Sequence, residues 1–531
     1  MRGRLSTAVV SVAIVASVAA CGGGGGSGGA DAATGECTPD RVGGSVSMGT
    51  FSAPKGLDPV GQPGSATTGG TEITALFDTL IKYDSTTQTY QPEVAESLTA
   101  DDATNQVWTL KLRSGVKFGN GDPLTAEDVV SSIARHQDPS NTQVSRGDAA
   151  TIAKSDVLDP LTVRFTLDSP YPLFPRVLAT DVGMITNPRL VAERGADGFA
   201  NNPAGGGVGP YELERYAPGD EIVMKAKTDY WGGPVCIQSL RFVTIPGAQG
   251  TYEALQNKEL DIAFLREPQV IDEARQAGLA DLSTLFNFGE AVAMNSKADR
   301  PTGDKSVRQA VVAAIDTESV NQRAFNGTAL ATSALVHPET PGLYDGVAGP
   351  AYDPEKAKQL VAQAKAAGWD GRIRLLSDNA STRVDEAIAV KAQLEAVGFT
   401  VDVDSTQSLQ DVIKKVVADR GYDLVLWGPQ FSAEGLWAVM NRSFNSASKS
   451  NYYNYFDPRM DAELAKLRMA STPEQQKPIV AEMQTILDDN PFAANLAAFQ
   501  EANVYDARIG GLVLDRGSII RFDKAFVTSG D

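Results

Sequence analysis

In the second half of the chain, apolar positions switch repeatedly between a helical and a strand period. Asp353 stands as a helix N-cap with Pro354 at the first helical position, and Ala357, Leu360, Val361 and Ala364 then share one face before Gly368 supplies the stop. Arg372 to Leu376 follows as a strand. Val384, Ala387, Ile388 and Leu394 mark a second helix closing at Gly398, and Phe399 to Val403 alternates as a strand. Ser408, with Asp411 three residues on, opens a third helix whose inner face is Leu409, Val412, Ile413, Val416 and Val417. Tyr422 to Trp427 is one more strand. Helices that repeatedly join short strands predict an α/β fold with a mainly parallel, doubly wound sheet and right-handed crossovers. Such sheets bind ligands beyond the carboxyl ends of their strands. The loop Gly428 to Glu434 is therefore a candidate site wall, with an ordinary connecting loop as the alternative.

The first half has a different pattern. Trp108, Leu110 and Leu112 alternate on one strand, and Val163, Phe165 and Leu167 on another. Between them Gly119-Asn120-Gly121-Asp122 reads as a tight turn, and Thr125 with Asp128 forms a capping box for a helix through Val129, Val130 and Ile133. This is α+β material set into a longer chain. No internal repeat appears, and the sole low-complexity run is Gly22 to Gly29, broken once by Ser27.

That run sits behind a distinctive leader. Arg2 and Arg4 precede an apolar stretch from Leu5 to Ala20, the length of a signal h-region and short for a membrane span. Val18-Ala19-Ala20-Cys21 resembles the lipobox of bacterial lipoproteins. The resemblance implies that Cys21 becomes an acylated N-terminus, and several acyl chains give stable anchoring. The glycine run would then be a flexible tether. The alternative is a plain signal peptide with an accidental Cys. Three Cys less Cys21 leave Cys37 and Cys236, an even pair in an oxidising location. They are expected to form a disulfide that pins the mature N-terminus to the body, against the alternative of two unpaired thiols.

Length and charge narrow the remaining classes. At 531 residues the chain suits two or three domains, and 42% hydrophobic with 21% charged residues is ordinary globular composition. A net charge of −19 and a pI of about 4.7 argue against a nucleic-acid partner and otherwise keep a secreted protein soluble.

Catalytic patterns are nearly absent. His136 and His337 are the sole histidines, each expected at a surface or turn beside a proline-containing segment. Gly25-Gly26-Ser27-Gly28-Gly29 matches G-x-S-x-G inside the tether, without the strand and helix that expose a nucleophile. The glycines 205–207 and 209 lead into Pro210-Tyr211 and a strand, not into a helix that would cradle phosphate. There is no Walker A, no H-E-x-x-H and no Cys/His cluster, so no metal ligands and no cofactor are assigned. The carboxylate pairs Asp101/Asp102 and Asp488/Asp489 read as solvated turns or helix ends. A carboxylate-dependent hydrolase is the enzyme alternative.

Several segments, in order, resemble the family 5 extracellular solute-binding proteins of ABC importers, the group that includes dipeptide, oligopeptide and nickel binders. They are Leu57-Asp58-Pro59, Phe77 to Leu80, Pro92 to Ser97, Trp108 to Phe118 and Leu124 to Val129, then Gly207 to Tyr211, Asp229 to Gly232, Val307 to Ala310 with Ile315-Asp316, Tyr352 to Ala357 and Asp489-Asn490-Pro491. The likeness spans roughly residues 43 to 505. It implies a two-lobed, periplasmic-binding-protein-like clamp with an extra small α+β domain in the first lobe. The expected division is a signal peptide over 1–20, a tether over 21–42, lobe I over 43–80 and 201–285, the inserted unit over 81–200, lobe II over 286–500, and a return to lobe I over 501–531.

The resemblance also implies a non-enzymatic monomer that hands a small molecule or peptide to ABC permease subunits from a lipid anchor on the outer membrane face. Ligand contacts are expected around Leu57 to Thr68, Gly207 to Tyr211 and Trp427 to Glu434. Candidate walls are Leu57, Tyr211, Trp427 and Phe431, with Trp437 expected in a core. Candidate polar contacts are Gln430, Glu434, Asn441 and Arg442, the last able to hold a carboxylate bidentately. Peptide binders of the family usually place an Asp shortly after the Trp, to pair with the peptide ammonium, and here Gln430 stands at that position. A neutral amide cannot neutralise a buried ammonium. Glu434, one helical turn further on, is the alternative partner; otherwise the cargo is not a free-amine peptide, and a sugar, a nickel chelate or another small molecule stays open.

Overall fold

The computed structural model describes residues 33–61, 64–141, 143–340, 342–343 and 346–528. The leader and Cys21 lie outside the described residues. Strand β1 (Ser45–Thr50) opens the main sheet, with Val46 and Met48 buried. An inserted unit follows, made of the hairpin β2 (Ile81–Asp84) and β3 (Thr89–Pro92) and an antiparallel sheet of β4 (Ala95–Ala100), β5 (Val107–Leu112), β6 (Ile152–Asp159) and β7 (Thr162–Leu167), ordered β4-β5-β7-β6. Trp108, Leu110 and Leu112 alternate inward on β5, and Val163, Phe165 and Leu167 do so on β7. The helix Ala126–Gln137 covers them, opened by the Thr125–Asp128 capping box.

The chain then adds β8 (Tyr211–Ala217), β9 (Glu221–Ala226), β10 (Ser239–Thr244) and β11 (Ile262–Leu265) to lobe I. β12 (Ala280–Met294) leaves that lobe for the second. There β13 (Leu330–Ala331), β14 (Arg372–Asp378), β15 (Thr400–Gln407) and β16 (Leu424–Leu426) follow, and β17 (Ala493–Tyr505) returns. One sheet runs β15-β14-β16-β12-β17-β11-β1-β10-β9-β8 through both lobes, with β13 on β17. β14 lies parallel to β15 and β16, as the alternating pattern predicts, whereas β12 and β17 run antiparallel to each other and to their neighbours β16 and β11.

The β12–β17 ladder breaks where the lobes meet. Its register holds from Ala280↔Tyr505 to Phe286↔Phe499, shifts, and resumes from Ala291↔Asn495 to Ala293↔Ala493. Asn287 instead pairs with Phe431 in the loop after β16, its N–H donating to the Phe431 carbonyl at 2.8 Å.

Other expectations need correction. Leu190 and Phe199 pack in the lobe I core, so the helix Pro188–Asn201 belongs to that lobe and the inserted unit ends before it rather than at 200. His136 is fully buried, because it continues the inward face of Val129, Ser132 and Ile133. Its Nδ1 lies 3.0 Å from Ser145 Oγ, and burial, helped by the Arg135 charge, lowers its pKa to about 4. His337 is buried as well, its backbone N–H donating to Asn287 Oδ1 at 2.7 Å. Cys37 and Cys236 are joined by a disulfide across a sequence separation of 199.

Candidate ligand site

A cavity of about 1300 Å³ opens between the lobes at the broken ladder. Its floor is the crossing itself. Phe286 stacks on Phe499 with centroids 5.2 Å apart, and the Arg266 guanidinium lies 4.8 Å above Phe499 and 3.0 Å from Glu501. Two glycines make the crossing possible. A methyl group at Gly289 would collide with the Phe499 ring, and one at Gly428 with the Phe288 carbonyl. The Gly428 to Phe431 loop can therefore lie directly on β12, with Gln430 N–H donating to Phe288 O at 3.3 Å and Trp427 N–H to Ala291 O at 2.9 Å. Gln430 itself adopts φ 45, the left-handed region that costs a non-glycine residue energy.

Four expected contacts line this cavity: Trp427, Gln430, Asn441 and Arg442. Trp437, expected in a core, is buried and also borders it. Arg442 belongs to the helix Leu436–Phe444, and its guanidinium has no ion pair or hydrogen bond among the described residues. Burial pulls its pKa down, against the pull of Asp148 in the opposite direction. It is a cation held partly out of water without a counter-ion, the arrangement that favours an incoming anion.

Four expected contacts do not face the cavity. Leu57 is fully buried in the lobe I core, where its N–H donates to Ala200 O at 2.7 Å. Tyr211 is buried in the same core, its hydroxyl unpartnered among the described residues. Phe431 turns inward, because its backbone is spent on the Asn287 bridge and its ring packs in the core beneath. Glu434 points to lobe I instead: its carboxylate accepts from Gly517 N–H at 2.8 Å and its carbonyl from the Tyr90 hydroxyl at 3.3 Å. Family loops locate a region, but the choice of inward side chain within each loop depends on packing partners hundreds of residues away.

The wall opposite holds residues the sequence pattern passed over. Arg383, on the helix Ser381–Ala396, pairs with Glu290 of β12 and with Glu386 at 2.8 Å, and all three line the cavity with Asp378. The i, i+3 spacing of Arg383 and Glu386 was visible in the sequence; the approach of Glu290 was not.

The lobes also touch directly at the cavity mouth. Arg468, from the helix Pro458–Met469, donates to Asp168 at 2.6 Å and to the Pro170 carbonyl at 3.1 Å on the inserted unit. Its guanidinium lies 4.9 Å from the Trp437 ring and 5.4 Å from that of Tyr171.

The model of the bacterial extracellular solute-binding proteins, family 5 (middle part), matches residues 89–451. The chain belongs to this family. The glutathione-binding protein GsiB of Salmonella paratyphi A is 27% identical over 407 residues, covering 74% of this chain and 78% of that protein. Among solved structures, the dipeptide-binding protein of Pseudoalteromonas sp. SM9913, in complex with Met-Leu, superposes with a TM-score of 0.77 at 20% identity over 91% of this chain and all of the other. OppA of Haemophilus influenzae, in complex with RPPGFSPFR, gives 0.74 at 18% identity over 91% of this chain and 98% of that one. The fold is thus the two-lobed clamp of family 5. Family 5 proteins are the extracytoplasmic solute-binding components of ABC importers, a transport role rather than an enzymatic one. No helix among the described residues is long and apolar enough to cross a membrane.

Proposed function

We propose that this protein is the lipid-anchored binding component of an ABC importer and that its cargo is a peptide-sized solute bearing a carboxylate. The observation that carries the proposal is the interlobe cavity with an unpaired Arg442 in its wall. At about 1300 Å³ it exceeds the roughly 300–1,000 Å³ of common small-molecule sites, room for a short peptide and its water. Arg442 offers a carboxylate a two-pronged, charge-assisted partner. GsiB, the relative described above, is named for glutathione, a tripeptide with two carboxylates. Cys21 would supply the anchor and the glycine run the reach.

Closure follows from where the wall residues sit. Trp427, Gln430 and Arg442 lie on lobe II, Arg266 and Phe51 on lobe I, and a ligand touches both sets only in the closed clamp. Binding therefore draws the open population toward the closed one. Native mass spectrometry of purified protein is expected to show a retained adduct of peptide size, released on mild unfolding. Thermal shift is then expected to be large for peptides with a free C-terminal carboxylate and small for their amides. Equal shifts for acid and amide would overturn the carboxylate reading, and steady turnover of any ligand would overturn the binding-only role. Loss of membrane association in Cys21→Ser tests the anchor.

A further inference from the structure

The Arg383 cluster on the cavity wall has more acid than base. Glu290 and Glu386 share a single guanidinium, Asp378 adds its charge beside Glu386, and no second cation is paired with any of them among the described residues. Glu386 Oε2 accepts from Arg383 at 2.8 Å. Its other oxygen, Oε1, is buried and has no hydrogen-bond partner among the described residues, although the side chain is fully enclosed and lines the cavity. A buried carboxylate oxygen without a donor is costly, and the cost falls when a donor arrives.

Neighbouring groups sharpen this picture. Burial pushes the Glu386 carboxyl above its ordinary range, the Arg383 charge opposes that rise, and Glu290 and Asp378 reinforce it. Arg383 Nη1 donates to Glu290 on the crossing strand and to Glu386 Oε2, and leaves Glu386 Oε1 without a donor. What the wall lacks is a second cation that donates hydrogen bonds.

We infer that Glu386, with Glu290 and Asp378, forms a subsite for a positively charged group of the ligand, an ammonium or a guanidinium. The inference rests on the proposed role of the cavity as a solute site, and it assigns to this wall the recognition that Gln430 cannot supply. A cation placed here supplies the missing donor to Glu386 Oε1 and balances the excess charge. The ligand's carboxylate goes to Arg442, so the two ends are read by different elements of lobe II.

Isothermal titration of the purified full chain tests this with four probes: Ala-Ala-Ala, N-acetyl-Ala-Ala-Ala, Ala-Arg-Ala and agmatine, a guanidinium amine without a carboxylate. Glu386→Gln keeps the shape and removes the charge. It is expected to weaken a cationic probe that binds the parent protein by tenfold or more, while N-acetyl-Ala-Ala-Ala changes less than twofold. Asp378→Asn, at a half-exposed position, is expected to act in the same direction by a few-fold and decides the matter if the Glu386 variant does not fold. Equal effects on charged and acetylated probes, or no effect on either, would overturn the subsite. If the peptides fail to bind and agmatine binds in a Glu386-dependent way, the peptide reading fails and the subsite stands. If no cationic probe binds at millimolar concentration, the subsite is overturned.

Discussion

Two arginines in this molecule are surrounded by carboxylates, and they are finished differently. Arg521, near the end of the chain, is buried in lobe I against Asp78, with Asp515 at 3.2 Å, Glu93 at 3.4 Å and Asp523 at 3.5 Å. Tyr230 donates to Asp78 at 2.7 Å, Lys82 pairs with Glu93 at 2.6 Å, and Arg516 N–H donates to Asp515 at 2.7 Å. No oxygen of these four carboxylates is buried without a donor among the described residues. Arg383 also bridges acids, but Glu386 Oε1 is buried beside the cavity without a donor among the described residues. Burial of charge is common to both. Completeness separates a network that holds a lobe together from one that waits for a partner.

Removing one charged member of each network should test that comparison most forcefully. Arg521→Met leaves several buried carboxylates without their counter-ion and is expected to cost about 3–5 kcal/mol, read by urea denaturation. Glu386→Gln is expected to change stability by less than about 1 kcal/mol, because it keeps the oxygen that accepts from Arg383 and exchanges an unpartnered buried charge for an unpartnered neutral group. If the two variants cost the same, the distinction between closed and open networks fails.

The pH dependence refines it. The folded pKa of Glu386 is raised above its unfolded value by burial, so its contribution to stability is fully present below the unfolded pKa and is lost as pH rises through the folded one. His136 has the opposite sign. Its folded pKa, about 4, lies below the unfolded value near 6.5, so stability is lost as pH falls through that window. Denaturation curves should show the parent losing ground to Glu386→Gln on the alkaline side and to His136→Gln between about pH 6.5 and 4. The Arg468 contact at the mouth is the mildest case, since Asp168 is half exposed. Arg468→Ala should lower stability by no more than about 1 kcal/mol and still raise the radius of gyration of ligand-free protein in X-ray scattering, by releasing the closed form.

Much of this fold was legible in the sequence. The alternation of Trp108, Leu110 and Leu112, the Thr125–Asp128 box and the helix opened by Asp353 and Pro354 all depend on neighbours within a few turns, and each forms as its local pattern requires. The site was legible only in part. Trp427, Gln430 and Arg442 reach the cavity, whereas Phe431 and Glu434, in the same stretch, turn to Asn287 and Gly517. Those turns are decided by β12 and by the returning chain, which no window around residue 430 contains. Glu290 was hidden for the same reason, since a strand pattern does not say that a helix nearly a hundred residues later brings Arg383 to it.

The Arg521 network also bears on the order in which the chain can become protein. Asp78 and Arg521 are separated by 443 residues, and the β17 segment that pairs with β11 is likewise made late. During synthesis lobe I thus has its acids in place long before their cation, and its sheet lacks a neighbour on one side until β12 and β17 have formed. Contacts of such long range are slow to close and leave strand edges exposed meanwhile. A ribosome stalled between residues 300 and 490 would display a lobe that is chemically whole in sequence yet unable to lock. Trimming the last dozen residues of the described chain should undo the first lobe before it disturbs the second.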